Sequence, residues 1–264
     1  MLGELSSRSA LVFRHFQIKT IFFDWEISAD FRKGTLVAFV SCQHKVLDRN
    51  KSANGLVSYG GDFMLTVRKA READRRVLVS CLLEAFESDF SPFLKQFGED
   101  FVVQFMEKVM VLDRFYIGEV DGELVGTLAL TSANHRAVSV DRKELRKSFG
   151  RLKTFFLALA FKEFEEVLPF PETTGFFEFV AVKKSFRRQG IASQMMSRAM
   201  KITSYKDYVL DVKDSNASAI SCYQKLGFKE FARKPKPRFT QQKDFKELIL
   251  MEYLSSAGAR ADEV

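Results

Sequence analysis

Arg187-Arg188-Gln189-Gly190-Ile191-Ala192 is the stretch of this chain best suited to grip an anion. It follows a buried-strand pattern, Phe179-Val180-Ala181-Val182, and runs into Ser193 and an apolar-faced helix. A strand, a glycine-containing turn and a helix start bring several unpaired backbone N–H groups and the positive end of a helix dipole to one point. Gly190 and Ala192 are small enough to let a diphosphate approach the backbone, and Arg187 or Arg188 adds a charged donor. The turn fits neither G-x-G-x-x-G nor G-x-x-x-x-G-K-[ST], the standard nucleotide fingerprints. Taken alone, it reads equally well as a tight strand-to-helix connection.

Further along, Leu210-Asp211-Val212 leads to Asn216, Ala219, Tyr223, Lys225, Gly227 and Phe228 in one register. The two segments together resemble the GNAT (Gcn5-related N-acetyltransferase) superfamily. The family's acetyl-CoA signature R/Q-x-x-G-x-G/A is met at Arg187, Gly190 and Ala192, and its N-x-x-A-x-x-x-Y-x-K-x-G-F pattern is met from Asn216 to Phe228. The motifs cover Phe179 to Phe228, and the order of strands and helices extends the resemblance to Met64–Leu254.

The resemblance implies an acetyl-CoA-dependent N-acetyltransferase that moves an acetyl group to a primary amine by direct attack on the thioester. Backbone groups of Val180, Ala181 and Val182 would hold the pantetheine arm beside a splayed fourth strand, one N–H polarising the thioester carbonyl. The turn from Arg187 through Arg188, Gln189, Gly190, Ile191 and Ala192 to Ser193 would grip the pyrophosphate. Tyr223 is the implied general acid, a phenol that can donate to a departing thiolate; the competing reading is an aromatic core residue. Asn216 caps the following helix or bonds the cofactor arm. Glu178 is the candidate base, set by strand alternation on the face opposite Phe177 and Phe179; the competing reading is a salt-bridged or solvent-facing strand residue. Asp211 orders the same region or is structural.

These residues need a scaffold, and its periodicities are legible beyond Met64. Met64–Ala70 alternates like a first strand, and Val77, Leu78, Cys81, Leu82, Ala85 and Phe86 share one helical face. A second helix carries Phe101, Val102, Phe105, Met106 and Val109. Phe115–Val120 and Glu123–Thr131 flank Asp121-Gly122, a hairpin signal. Lys143–Leu168 reads as a long helical stretch broken near Gly150 and terminated by Pro169 and Pro171. Strands are expected at Phe176–Val182, Tyr208–Val212, Phe228–Ala232 and Phe245–Leu254, and helices at Ser193–Ser204 and Ala217–Leu226. The expected fold is α/β of the GNAT type: a mixed, mostly antiparallel central sheet flanked by helices, with a helical insertion between the third and fourth strands. The insertion departs from the minimal family pattern; it is expected to cover the acceptor cleft or form a homodimer contact, and its many phenylalanines suit either role or plain core.

The acetyltransferase domain is expected over residues 64–254 and a flexible tail over 255–264. Residues 1–63 show no sustained period. Gly60-Gly61-Asp62-Phe63 back-translates to a ribosome-binding-site pattern ahead of the codon for Met64. That leaves two readings open, translated upstream sequence or a small N-terminal subdomain.

Composition excludes several other classes. An apolar fraction of 46% supports a packed core, and three cysteines without a CxxC pair argue against a disulfide framework or a structural zinc site. No metal is expected. The longest apolar run, Phe155–Phe161, is too short to span a bilayer, and the expected location is the cytoplasm. A formal net charge of +7 attracts polyanions, yet the basic residues are dispersed and no groove-reading helix is evident, which places a nucleic-acid-binding module below a non-catalytic acyl-CoA sensor among the alternatives. The densest basic cluster, Lys234–Arg238, holds two prolines and suits a loop or edge strand. The acceptor, a small-molecule amine or a protein amine, is not legible.

Overall fold

The computed structural model describes residues 64–236 and 244–254. The expected N-terminal extension 1–63 and the tail 255–264 lie outside the described residues, as do His15, His44, Cys42 and the Pro237-Arg238 end of the basic cluster.

Strand-forming runs in this chain build one seven-stranded sheet in the order β1-β2-β3-β4-β5-β7-β6. The strands are β1 (Thr66–Lys69), β2 (Phe115–Val120), β3 (Glu123–Thr131), β4 (Thr174–Val182), β5 (Asp207–Lys213), β6 (Lys229–Pro235) and β7 (Glu247–Leu254). Every neighbouring pair is antiparallel except β4 with β5. The β2–β3 turn places Asp121 and Gly122 at φ 51° and 81°, the twist that a two-residue hairpin requires. The order and the mixed, mostly antiparallel pairing agree with the fold expected from sequence.

Helices cover the two faces unequally. One face carries α1 (Arg75–Ala85), α2 (Glu87–Phe97), α3 (Glu99–Val109), α4 (Arg142–Ala160) and α5 (Lys162–Glu165), whose apolar residues share a core with Phe115, Ile117, Ala129 and Ala181. The other face carries α6 (Ile191–Ile202) and α7 (Ala217–Lys225), packed on Leu128, Phe177, Leu210, Val212 and Phe228. At 20–33 cal/mol per Å² of apolar surface, each fully buried side chain such as Leu82 or Phe228 contributes about 1.5–3 kcal/mol.

Three local expectations are corrected. Sequence periodicity indicated helices around Val77–Phe86 and Phe101–Val109 but not α2, which forms in spite of Pro92 because Phe90, Phe93, Leu94 and Phe97 pack into the core. The long insertion breaks at Gly150, at φ 78°, as expected, but helix stops at Glu165 short of Leu168. Leu168 precedes a proline, which disfavours helical backbone, and its N–H donates to the Ala133 carbonyl at 3.0 Å. Finally, Phe179 has φ 52°, and the register with β3 shifts between Thr127 and Ala129, so β4 bulges there. Alternation fails at this point: Phe179 packs with the α1–α5 core and no longer lies opposite Glu178.

Candidate active site

β4 and β5 pair only from Thr174↔Asp207 to Phe177↔Leu210. Beyond that point β4 stays on β3 and β5 stays on β7, so the two strands part. Lys183 donates its N–H to Val125 of β3 at 2.9 Å. By alternation, Ala181 points its N–H to β3 as well, while Val180 and Val182 turn theirs to the unpaired edge that faces the gap. Val180 and Val182 are half-buried and Ala181 is buried. That edge therefore carries a short row of donors that β5 does not pair.

At the end of β4, a 3-10 turn (Lys184–Phe186) leads into Arg187–Gly190 and the start of α6. Gly190 caps α6 at φ 75°, ψ 6°, a left-handed conformation that costs an L residue about 1–2 kcal/mol. A Cβ there would meet nothing closer than Gln194 Nε2 at 3.9 Å, so the space above the turn is open. Arg187 donates Nε–H to the Val182 carbonyl at 3.0 Å, and Gln189 donates Nε2–H to the Ser185 carbonyl at 3.3 Å, which fixes the turn against the strand end. Arg188 is exposed, with φ 63°. Ile191 is buried and anchors α6 in the core; Ala192 and Ser193 are half-buried. Small residues, open space and N–H groups at a helix start fit a diphosphate-bearing cosubstrate such as acetyl-CoA.

Tyr223 sits on α7, buried against Phe228. Burial first, then the neighbouring Cys222 and Asp211, hold its phenol well above the ordinary tyrosine range. The phenol is thereby held in its protonated form. Asn216 accepts the Ala219 N–H on Oδ1 at 3.2 Å, so it does cap α7.

Glu178 lies on the α1–α5 face, where Oε1 accepts from Arg136 at 2.5 Å and Oε2 from Thr131 Oγ1 at 2.9 Å. Both side chains of the ion pair are only 9% exposed. Next to it, on the far side of the gap, stands Asp211. Leu210 and Val212 point into the α6–α7 core, so Asp211 faces the other way. It is open to water yet walled by protein, and desolvation pushes its carboxyl upward against the opposing pull of Lys234 and Arg136. Asp211 is thus the carboxylate that reaches water at the parting of the strands and shares an electrostatic environment with Tyr223.

The profile of the acetyltransferase (GNAT) family matches residues 82–228, more than half of the chain. The chain belongs to the GNAT acetyltransferase family. An N-alpha-acetyltransferase from Sulfurisphaera tokodaii is 29% identical over 120 residues, which cover 44% of this chain and 56% of that protein. The match thus spans little more than half the length of that relative. The crystal structure of an N-acetyltransferase from Staphylococcus aureus Mu50 superposes with a TM-score of 0.50 at 17% identity, covering 71% of this chain and all of the other, a likeness of fold.

Within this GNAT domain, sequence reasoning gave Asp211 no definite part. The available signal was a carboxylate between Leu210 and Val212 in an otherwise apolar strand; its meaning depends on where β4 leaves β5, which no local pattern encodes. Among the described residues no group of three or more His, Cys, Asp or Glu side chains could hold a metal ion, and no helix is long and apolar enough to cross a membrane.

Proposed function

We propose that this chain transfers an acetyl group from acetyl-CoA to a primary amine. The observation that carries the reading is the unpaired edge of β4 beyond Phe177, with the N–H groups of Val180 and Val182 turned into the gap and the Arg187–Ser193 turn at its end. Acetyl-CoA, when bound, supplies an activated acetyl thioester. Val180 and Val182 hold its arm, one N–H donating to the thioester carbonyl oxygen as charge builds there. Arg187–Ser193 orients the diphosphate. Asp211 takes a proton from the acceptor ammonium through water, its raised affinity for protons suiting the part of a base. Tyr223 donates its phenolic proton to the departing sulfur. Glu178, the base expected from sequence, has both oxygens engaged by Arg136 and Thr131. In this reading it holds Arg136 beside the cleft, and direct proton transfer to Glu178 is the competing assignment that the variants below separate.

Acetyl-CoA is expected to raise the melting temperature of the full chain, and an amine panel followed by CoA release is expected to find an acceptor. The name of the Sulfurisphaera tokodaii relative puts peptide α-amines first in that panel. Tyr223→Phe is expected to lower turnover by about 10²–10⁴-fold with acetyl-CoA affinity nearly unchanged. A thermal shift without turnover on any amine would indicate a sensor on the same fold; no shift at all would end the acetyl-CoA reading.

A further inference from the structure

We propose that the outward face of the second half of α4 docks on an anionic lipid surface, a property that goes beyond acetyl transfer and does not rest on it. Gly150, at φ 78°, breaks α4, and beyond it Thr154, Leu157, Ala158 and Phe161 are buried at helical spacing. On the opposite side, at the same spacing, stand Leu152, Phe155, Phe156 and Leu159. Leu152 is 57%, Phe155 63% and Leu159 36% exposed, and Phe156 is half-buried, its ring edge to face with Phe155 at 5.6 Å. With about 150–250 Å² for an aromatic side chain, the stripe leaves on the order of 300 Å² of continuous apolar surface on the side of the helix that points away from the core.

The stripe has a basic frame. By helical spacing Arg151 and Lys162 border it on one side and Lys153 on the other. All three are exposed, and none forms an ion pair among the described residues. Lys153 Nζ lies 4.8 Å from the centre of the Phe101 ring, a contact that leaves its charge unneutralised. Before the break, Arg142, Lys143, Arg146 and Lys147 are exposed as well, and Glu144 is the sole acidic residue from Arg142 to Lys162. Glu165, further on, is engaged by the Val140 N–H at 2.6 Å. An apolar ridge between cations suits the headgroup region of a bilayer, where the ridge enters the acyl boundary and the cations meet phosphates. A second copy fits less well: two such patches bury about 600 Å², against about 1,200 Å² or more in a stable interface, and stripe-on-stripe pairing sets cations against cations. A nucleic acid matches the charge but offers no apolar phase to Leu152 and Leu159. The helix would lie on the surface, for no described helix is long and apolar enough to cross a membrane.

The test is co-sedimentation of the full chain with vesicles of phosphatidylcholine alone and with about 30% phosphatidylserine added. The wild type is expected to bind the anionic vesicles at least about tenfold more tightly, a preference that fades with added salt. The Leu152→Ser, Phe155→Ser, Leu159→Ser variant alters exposed residues, so its melting temperature is expected to hold while its binding to anionic vesicles falls at least about tenfold. Arg151→Gln, Lys153→Gln, Lys162→Gln is expected to lose most of the preference for phosphatidylserine. A wild type that ignores anionic vesicles overturns the inference. Equal binding by the serine variant overturns it as well, since net charge alone would then account for the attraction. A dimer in light scattering that the serine variant turns into monomer gives the stripe to a second copy, and an RNA oligonucleotide that the serine variant no longer retains gives it to nucleic acid; either result overturns it too.

Discussion

Glu178→Gln separates a carboxylate that holds the site from one that reacts in it. The Arg136–Glu178 pair is 2.5 Å long with each side chain 9% exposed, so it lies in the range where removing one partner leaves an uncompensated buried charge and costs about 3–5 kcal/mol. Glutamine keeps the volume and an oxygen to accept from Thr131, and Arg136 retains the Glu166 carbonyl and the field of Asp211. These push the cost to the low end, about 3 kcal/mol. For a domain of this size a loss of 1 kcal/mol lowers the melting temperature by about 2–4 °C, so a drop of about 6–12 °C is expected in differential scanning calorimetry. Adding Arg136→Met removes the stranded charge and is expected to restore most of the loss. Below the new melting temperature, turnover of the single variant is expected within about tenfold of wild type, well short of the 10²-fold or more that a lost base costs. A melting temperature within about 1 °C of wild type together with a turnover loss above about 100-fold would refute this reasoning and make Glu178 the base.

Asp211→Asn is expected to lower turnover by about 10²–10⁴-fold and to flatten the rise of kcat with pH. Its carboxyl is pushed upward on folding, so the native state holds the proton more tightly than the unfolded chain, and stability falls as pH rises from the ordinary carboxylate range through the raised value. The asparagine variant should therefore melt higher than wild type at neutral pH and show no such gain in acid; a variant less stable at neutral pH would contradict the desolvation of that charge. Gly190→Ala, at φ 75° with no neighbour nearer than 3.9 Å, should cost about 1–2 kcal/mol from backbone strain alone and weaken acetyl-CoA binding as the turn shifts. Unchanged melting and unchanged binding would mean that the turn is not left-handed at this residue.

Where the fold was legible, a short-range cause was at work. Asp121-Gly122 demands a hairpin and Gly227 ends α7, its N–H and that of Phe228 returning to the Gln224 and Tyr223 carbonyls. The turn at Gly190 and the cap at Asn216 are equally local. What escaped was set by long-range packing. α2 tolerates Pro92 because Phe93 and Phe97 stack at 6.5 Å and Phe93 meets Phe161 at 5.9 Å, a contact across the sequence that outweighs the local penalty. The parting of β4 from β5, and with it the position of Asp211, arises from pairing partners far apart in the chain. The partner of Glu178 is Arg136, in the connection after β3, and no spacing rule couples them.

The bulge at Phe179 shows how the phenylalanine-rich insertion bears on the site. A non-glycine residue at φ 52° costs about 1–2 kcal/mol, and such a conformation persists only where its surroundings over-determine it. Phe179 is held by Phe86 at 6.3 Å from the end of α1, by Phe115 at 5.9 Å from β2, and by Phe164 of α5, stacked at 5.7 Å. At about 0.5–1.5 kcal/mol per aromatic pair beyond area burial, these contacts offset the strain. The bulge in turn sets the geometry that follows it: one extra residue puts Glu178 and Phe179 on the same side and resets alternation, so that Val180 and Val182 present their N–H groups to the gap while Ala181 stays on β3. α5 therefore does more than lengthen the connection between β3 and β4. Through Phe164 it clamps the one backbone distortion on which the open edge of β4 depends, which joins the part of the chain that departs from the minimal fold to the feature on which the proposed cosubstrate binding rests.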